Sequence, residues 1–355
     1  MKNLWFCLSV LCLMSCSKNT VLYVGTYTDG SSEGIYSYDF DSTTGELQNL
    51  TLKAKTSNPS FLAFGKNEDI LYAVNETNDF DEMQSGSVTA YGLNNSSMFN
   101  ELGVWSSFGA HPCHVVFDKN NNRIAISNYS GGNVAVIQAD GSGLLTDSVQ
   151  ILDQNDISEK AHAHFSKFDG NRLLVSDLGR NKIFSYTEKD GKFTGSDFDF
   201  IDFDIKSGPR HFAIDQSSEN LYSLTEYGNT LNVFSLSDGQ KSQTIGTKSK
   251  VFKGDTYAAD VKISADQKFL YASNRGENSI ALFSIAEDGA LEHVENQDVH
   301  GDWPRNFTLD PSGKWLLVAN QRSNNISVFS VDTNGKISFV KSYEIGAPVC
   351  LLFTS

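Results

Sequence analysis

The chain has 355 residues, a formal net charge of −15, and 39% hydrophobic and 20% charged residues. The acidic balance, without any long run of Lys and Arg, excludes a nucleic-acid binder, which needs a basic face. The apolar content excludes a disordered chain, and abundant Phe (24) and Tyr (13) with scarce Pro (6) favour β structure.

The first fifteen residues read as an address. Met1-Lys2-Asn3 gives a positive start, and Leu4 to Met14 is apolar but too short to span a bilayer as a helix. Leu13-Met14-Ser15-Cys16 then places small residues before a cysteine. The segment reads as a secretory signal and resembles a bacterial lipobox, which would make Cys16 the lipidated first residue of the mature chain. The expected domains are a lipoprotein signal peptide over 1–15 and one folded unit over 16–355. The expected location is the cell envelope, periplasm or outer membrane, with membrane contact only through the lipid on Cys16. An ordinary signal peptide cut nearby is the alternative. Of the five cysteines, Cys7, Cys12 and Cys16 lie in this leader. Cys113 and Cys350 could pair in an exported protein, though nothing in the sequence brings them together. The lack of any CxxC pair excludes a cysteine-built zinc site.

From Gly25 onward one pattern recurs: a β-rich run, a polar loop, and a second alternating run. Its occurrences are GTYTDGSSEGIYSY from Gly25, NETNDFDEMQSGSVTAY from Asn75, NYSGGNVAVI from Asn128, DLGRNKIFSY from Asp177, TEYGNTLNVF from Thr225, NRGENSIALF from Asn274 and NQRSNNISVF from Asn320. Successive starts differ by 50, 53, 49, 48, 49 and 46 residues, the period of a four-stranded propeller blade. Most are preceded by a strand–turn–strand unit such as HPCHVVFDKNNNRIAIS or WPRNFTLDPSGKWLLVA. The turns are rich in Asp, Asn, Ser and Gly, which bond their own backbone or accept tight geometry. The first repeat lacks this front half, and the final GAPVCLLFTS supplies one with nothing after it. The predicted fold is therefore all-β: a seven-bladed β-propeller whose ring is closed by N- and C-terminal strands sharing one blade.

Two columns of polar residues follow from the repeat. The innermost strands begin Pro112-Cys113-His114, His162-Ala163-His164, Pro209-Arg210-His211, Ala259-Asp260-Val261, Pro304-Arg305-Asn306 and Pro348-Val349-Cys350. Four of the seven histidines fall at these starts, and Arg210, Asp260 and Arg305 share one column. The second column lies where strand two meets its loop: Asn75-Glu76, Asn128-Tyr129, Asp177, Glu226-Tyr227, Asn274-Arg275 and Asn320-Gln321. For Asn75, Asn128, Asn274 and Asn320 the plain reading is bonding to neighbouring backbone. His114 and His162 read equally well as packed core histidines or as ligand contacts, and Asp260 as an anchor.

The motifs HPCHVVFD, NYSGGNVAV, HAH at 162–164, GPRH at 208–211, AADVKIS at 258–264, YASNRGENSI at 271–280 and WPRNFTLDPSGKWLLVANQ at 303–321 resemble the lactonase family of seven-bladed propellers. That family includes bacterial 6-phosphogluconolactonase and the fungal carboxy-muconate lactonizing enzyme, and the likeness covers almost the whole mature chain. By motif, the resemblance places catalytic roles on His164, Arg210, Glu226 and Arg275, with Arg305 a further mouth arginine. Together with His114, His162 and His211, Arg305 is expected to bind substrate. The residue types suit the chemistry: histidine can take a proton from water near neutrality. Arginine can steady an oxyanion or hold an anion bidentately, and a carboxylate can orient the histidine or balance the arginines. The expectation is a monomeric, metal-independent hydrolase of a sugar lactone, with no cofactor. A muconate-type lactonizing or isomerising enzyme and a non-catalytic envelope propeller that binds a glycan or protein are the alternatives. The export signal speaks against a purely cytoplasmic phosphorylated substrate.

Overall fold

The computed structural model describes residues 20–355 except 81, 83, 94–97 and 218, and leaves aside the side chains of 196–200. The leader and Cys16 lie outside the described residues. The described chain forms twenty-eight strands in seven four-stranded antiparallel sheets. These are numbered here as blades 1 to 7.

Blade 1 takes its innermost strand from the C-terminus. Pro348–Phe353 pairs with Thr20–Thr26, which pairs with Gly34–Asp41 and then Glu46–Lys55. Blade 2 runs from Phe61 to Ser106, blade 3 from Pro112 to Asp153 and blade 4 from Ala163 to Asp202. Blade 5 runs from Pro209 to Gly246, blade 6 from Tyr257 to Asp298 and blade 7 from Pro304 to Glu344. The seven-bladed ring closed by both chain ends is thus the architecture observed.

Burial is greatest in the second strand of each blade and falls toward the outer edge. Second strands such as Ile70–Asn75 and Arg123–Asn128 are buried at every residue, whereas the outermost strand Ile337–Glu344 is mostly exposed. Neighbouring blades cover both faces of a second strand, so it reads as a continuous apolar run. Seven apolar clusters fill the seven seams, and each joins one blade to the next. The seam of blades 7 and 1, for example, packs Leu317, Ala319, Ile326 and Val328 against Leu22, Val24, Tyr38 and Phe40. The others join blades 1–2, 2–3, 3–4, 4–5, 5–6 and 6–7.

A repeated tyrosine staples three seams. Tyr222 donates to the Gly289 carbonyl at 3.0 Å and Tyr271 to Gly335 at 2.7 Å, and Tyr72 donates to Gly143. All three acceptors are glycines at positive φ in the outer hairpin turn of the next blade, a geometry that a Cβ strains. Trp315 does the same job across the closing seam, donating to the Ser42 carbonyl at 2.9 Å. Cys113 and Cys350 are both buried and unpaired, so no disulfide joins them.

The shared blade makes a stability test. Val349, Cys350 and Leu351 are 2%, 3% and 5% exposed. Removing three such side chains forfeits roughly 5–8 kcal/mol of burial, against a typical net stability of ~5–15 kcal/mol. It also leaves the edge of Leu22–Thr26 unpaired. Deletion of Pro348–Ser355 is expected to abolish the cooperative melting transition in circular dichroism; an unchanged transition would contradict closure by the two ends.

Candidate active site

The inner strands share a defect in their pairing. Pro112 and His114 face Asn128 and Ser127, Ala163 and Phe165 face Asp177 and Ser176, Pro209 and His211 face Thr225 and Leu224, and Pro304 and Asn306 face Asn320 and Ala319. The residue skipped in each is Cys113, His164, Arg210 or Arg305. Val349 is skipped likewise, and in blade 6 Ala259 and Asp260 fall within the same kind of register shift. A bulge takes its extra residue out of the ladder and re-aims the side chain. Here it delivers His164, Arg210 and Arg305 to one ring at the mouth of the channel. This corrects the columns read by counting residues. His164 stands level with Cys113 rather than with His114, and Asp260 stands level with His211 rather than with Arg210 and Arg305.

A second ring sits above the first. The backbone N–H of Tyr27, Glu76, Tyr129, Leu178, Glu226 and Gln321 donates, respectively, to the carbonyl of Ala347, Asn58, His111, His162, Gly208 and Trp303. Arg275 occupies the same position in blade 6, opposite Tyr257. In five of these blades the accepting residue is left-handed and precedes a proline: Asn58, His111, Gly208, Trp303 and Ala347 have φ of 44°, 52°, 64°, 67° and 37°. One turn, repeated around the ring, therefore fixes both the collar residue and the entry to the bulge.

The two rings meet in an ion cluster. One carboxylate oxygen of Glu226 lies 3.0 Å from Arg210 Nε and 2.9 Å from Arg275 Nη2. The Arg210 contact is an ion pair whose N–H is not aligned as a hydrogen bond. Arg210 also donates to the Ala259 carbonyl. Arg275 donates to the carbonyls of Tyr257 at 3.1 Å and Ala258 at 3.3 Å, and its guanidinium lies 5.3 Å from the Trp303 ring. Burial would raise the Glu226 pKa, but Arg275, Arg210 and Arg305 outweigh it and hold the carboxylate ionised. Burial pulls Arg275 down to about 10, against the opposing pull of Glu226. Arg305 differs from its neighbours. It has no hydrogen bond or ion pair among the described residues, and its guanidinium lies 5.3 Å from the Tyr27 ring.

His164 is 5% exposed, and its Nδ1 has no hydrogen-bond partner among the described residues. Burial, then Arg210, His211, Arg305 and Arg275, push its pKa well below the ordinary value, so it stands neutral beside three guanidinium groups. His162 lies at the rim, stacked on Tyr129 at 4.4 Å with Nδ1 2.9 Å from the Tyr129 carbonyl oxygen.

His114 and His211 are in the floor, not at the mouth. Phe61, His114, Phe165 and His211 meet ring to ring at 4.3, 4.2 and 4.7 Å. His114 Nδ1 accepts from the Ser166 N–H at 3.3 Å. His211 Nδ1 bonds Asp260 at 2.8 Å, Asp260 accepts from Asn306 at 2.7 Å, and Asn306 accepts from the Leu351 N–H at 2.8 Å. This chain ties blades 5, 6, 7 and 1 together beneath the site. The structure thus unites His164, Arg210, Glu226, Arg275 and Arg305, with His162 at the rim and His114 and His211 below. Nothing in the sequence singles out Tyr27 or Ser60, and Glu76 is legible only as a column member.

The floor makes stability pH-dependent. His114, His164 and His211 all have depressed pKa values, with burial the largest cause and His211 near 4. Unfolded, each takes a proton below about 6.5, so their contribution is complete above that pH and is lost as the pH falls toward the folded values. With three sites the slope reaches about 4 kcal/mol per pH unit. The melting temperature is expected to fall steeply from pH 7 to pH 5, and His164→Gln should shallow the slope. A flat profile would contradict three neutral buried histidines.

Comparison with known proteins places the chain. The family model described as "Lactonase, 7-bladed beta-propeller" matches residues 21–353. A 6-phosphogluconolactonase of Bacillus subtilis is 32% identical over 303 residues, covering 82% of this chain and 85% of that protein. Another, from Formosa agariphila, is 33% identical over 311 residues, covering 82% and 87%. The solved periplasmic gluconolactonase of Pseudomonas aeruginosa superposes with a TM-score of 0.87 at 30% identity, over 95% of this chain and 99% of that one. These relatives support a lactone hydrolase, and the chain belongs to the lactonase family of seven-bladed β-propellers.

Proposed function

We propose that this protein hydrolyses a sugar lactone, 6-phosphogluconolactone or an unphosphorylated counterpart, at the His164/Arg210/Glu226/Arg275 cluster without a metal. The observation that carries the reading is a buried, neutral histidine with a free ring nitrogen beside a guanidinium–carboxylate–guanidinium cluster. In this scheme the His164 imidazole takes a proton from water as the oxygen adds to the lactone carbonyl. The carbonyl oxygen becomes an oxyanion facing the mouth arginines. The intermediate collapses, the ring C–O bond breaks, and the leaving alkoxide takes the proton back from His164. The product acid then loses its proton to solvent.

The depressed histidine pKa fits this order of events. The surrounding arginines oppose an imidazolium in the resting site. A negative oxyanion supplies the missing counter-charge, so the histidine becomes a stronger base as the transition state forms, where binding counts most. Glu226 holds the two arginines against their mutual repulsion. The leader expected from sequence would place the protein at the cell envelope through Cys16, and a relative described as periplasmic supports the envelope location alone.

The test is a hydrolysis screen of purified protein with glucono-δ-lactone, its 6-phosphate and simple aliphatic lactones. On the best substrate, His164→Gln should lower kcat by roughly 10²- to 10⁴-fold. Arg210→Lys should also be costly, since an ammonium lacks the planar fork. Lys119→Gln, in an exposed turn, should hydrolyse at the parent rate, and EDTA should leave the parent active. Wild-type rates in both mouth variants, or loss of activity with EDTA, would contradict the scheme.

A further inference from the structure

The mouth is divided into two arcs. Blades 4 to 6 carry His164, Arg210, Glu226 and Arg275, where both arginines pair with the one carboxylate. Blades 7, 1 and 2 carry Arg305, Gln321, Tyr27, Glu76 and Ser60, and there polar groups outnumber their partners. Tyr27 donates to one oxygen of Glu76 at 2.8 Å, the only side-chain bond Glu76 makes among the described residues. Ser60 follows Pro59 at the position that Cys113 holds after Pro112, and it is 4% exposed with no partner for Oγ among the described residues. Gln321 Oε1 is buried and equally unpartnered. Arg305 is part-buried, lies near the Tyr27 ring and has no ion pair among the described residues. Buried polar groups are nearly always satisfied, so two orphans in the two mouth rings mark a surface shaped for a ligand.

We infer that the Tyr27–Glu76 pair, with Ser60, Gln321 and Arg305, is a recognition arc for the hydroxyl groups of a neutral polyhydroxylated lactone ring. The inference rests on the lactonase reading and narrows its substrate. The arc mixes donors (Ser60, Arg305) with acceptors (a free Glu76 oxygen, Gln321 Oε1), which is what a hydroxyl satisfies as donor and acceptor. A phosphate offers acceptors only. The charge balance agrees: three arginines against two glutamates leave one positive charge while His164 is neutral. That matches one oxyanion or one product carboxylate, not a phosphate dianion in addition. A site built to bond a substrate hydroxyl discriminates strongly against an analogue lacking it, because its own groups are left unpaired.

The experiment compares glucono-δ-lactone, its 6-phosphate and δ-valerolactone, which has the ring but no hydroxyls. The parent protein should prefer glucono-δ-lactone to both by kcat/KM. Glu76→Ala should lower the glucono-to-valero ratio by roughly 10- to 100-fold, mostly through KM. Tyr27→Phe, which keeps the ring beside Arg305, should lower it by a smaller factor and covers the case where Glu76→Ala does not fold. A second readout needs no turnover: calorimetric binding of 1,5-anhydroglucitol, a polyhydroxylated ring without a carbonyl, should be present in the parent and lost in Glu76→Ala. An unaltered ratio in folded variants, or a preference for the 6-phosphate, overturns the inference. If no lactone is turned over, the hydrolase reading fails instead, and the anhydroglucitol arm still decides whether the arc binds hydroxyls.

Discussion

The antiparallel pairing of the first described strand with the last is the constraint on which the rest depends. A blade cannot bury its faces alone: each apolar cluster is built half from one sheet and half from the next. Seven seams can all be filled only if blade 7 meets blade 1, and blade 1 exists only because Pro348–Phe353 completes it. Closure sets the spacing of the inner strands around the axis. The cluster at the mouth is a consequence of that spacing, since residues from six blades converge where no single sheet could bring them together.

Within the ring, position is converted into chemistry by the repeated bulge and by the left-handed turn before it. The bulge residue and the collar residue are the two side chains each blade presents at the mouth. Blade 5 gives Arg210 and Glu226, blade 6 gives Ala259 and Arg275, and blade 4 gives His164 and Leu178. Variation at these fourteen positions can change the site without disturbing the seams, because neither position belongs to the inter-blade clusters. Below them, the ring contacts of Phe61, His114, Phe165 and His211 and the Asp260–Asn306 chain form a packed floor. Burial against that floor, with the charges of the mouth arginines, keeps His164 neutral.

Much of this could be read from the residues. The period of the polar loops gives seven blades, and the orphan front half at GAPVCLLFTS gives the shared blade. The bulge could not be read, because it adds one residue without a compositional mark. Pro112, Pro209, Pro304 and Pro348 flag its entry, but Ala163 and Ala258 stand at the same place unmarked. Hence counting residues sets His164 level with His114, and Asp260 with the arginines, each one step off. His114 and His211 share the residue type of the mouth, and only the pairing register shows that they point into the floor. Tyr27 is hidden for another reason: the repeat counted from Gly25 sets Thr26 level with Glu76, and only the pairing of Thr26 with Pro348 puts Tyr27 in the collar.

The central claim is that the two mouth rings bind and open a lactone. It is tested most directly by a crystal structure of the protein with gluconate, the product of the simplest sugar lactone. The account predicts the gluconate carboxylate within hydrogen-bond distance of His164 and a mouth arginine, with the polyol chain along Tyr27 and Glu76. Gluconate found instead in the groove between blades 5 and 6, lined by Phe252, His293 and Asn296, or a mouth left empty at saturating gluconate, would contradict it.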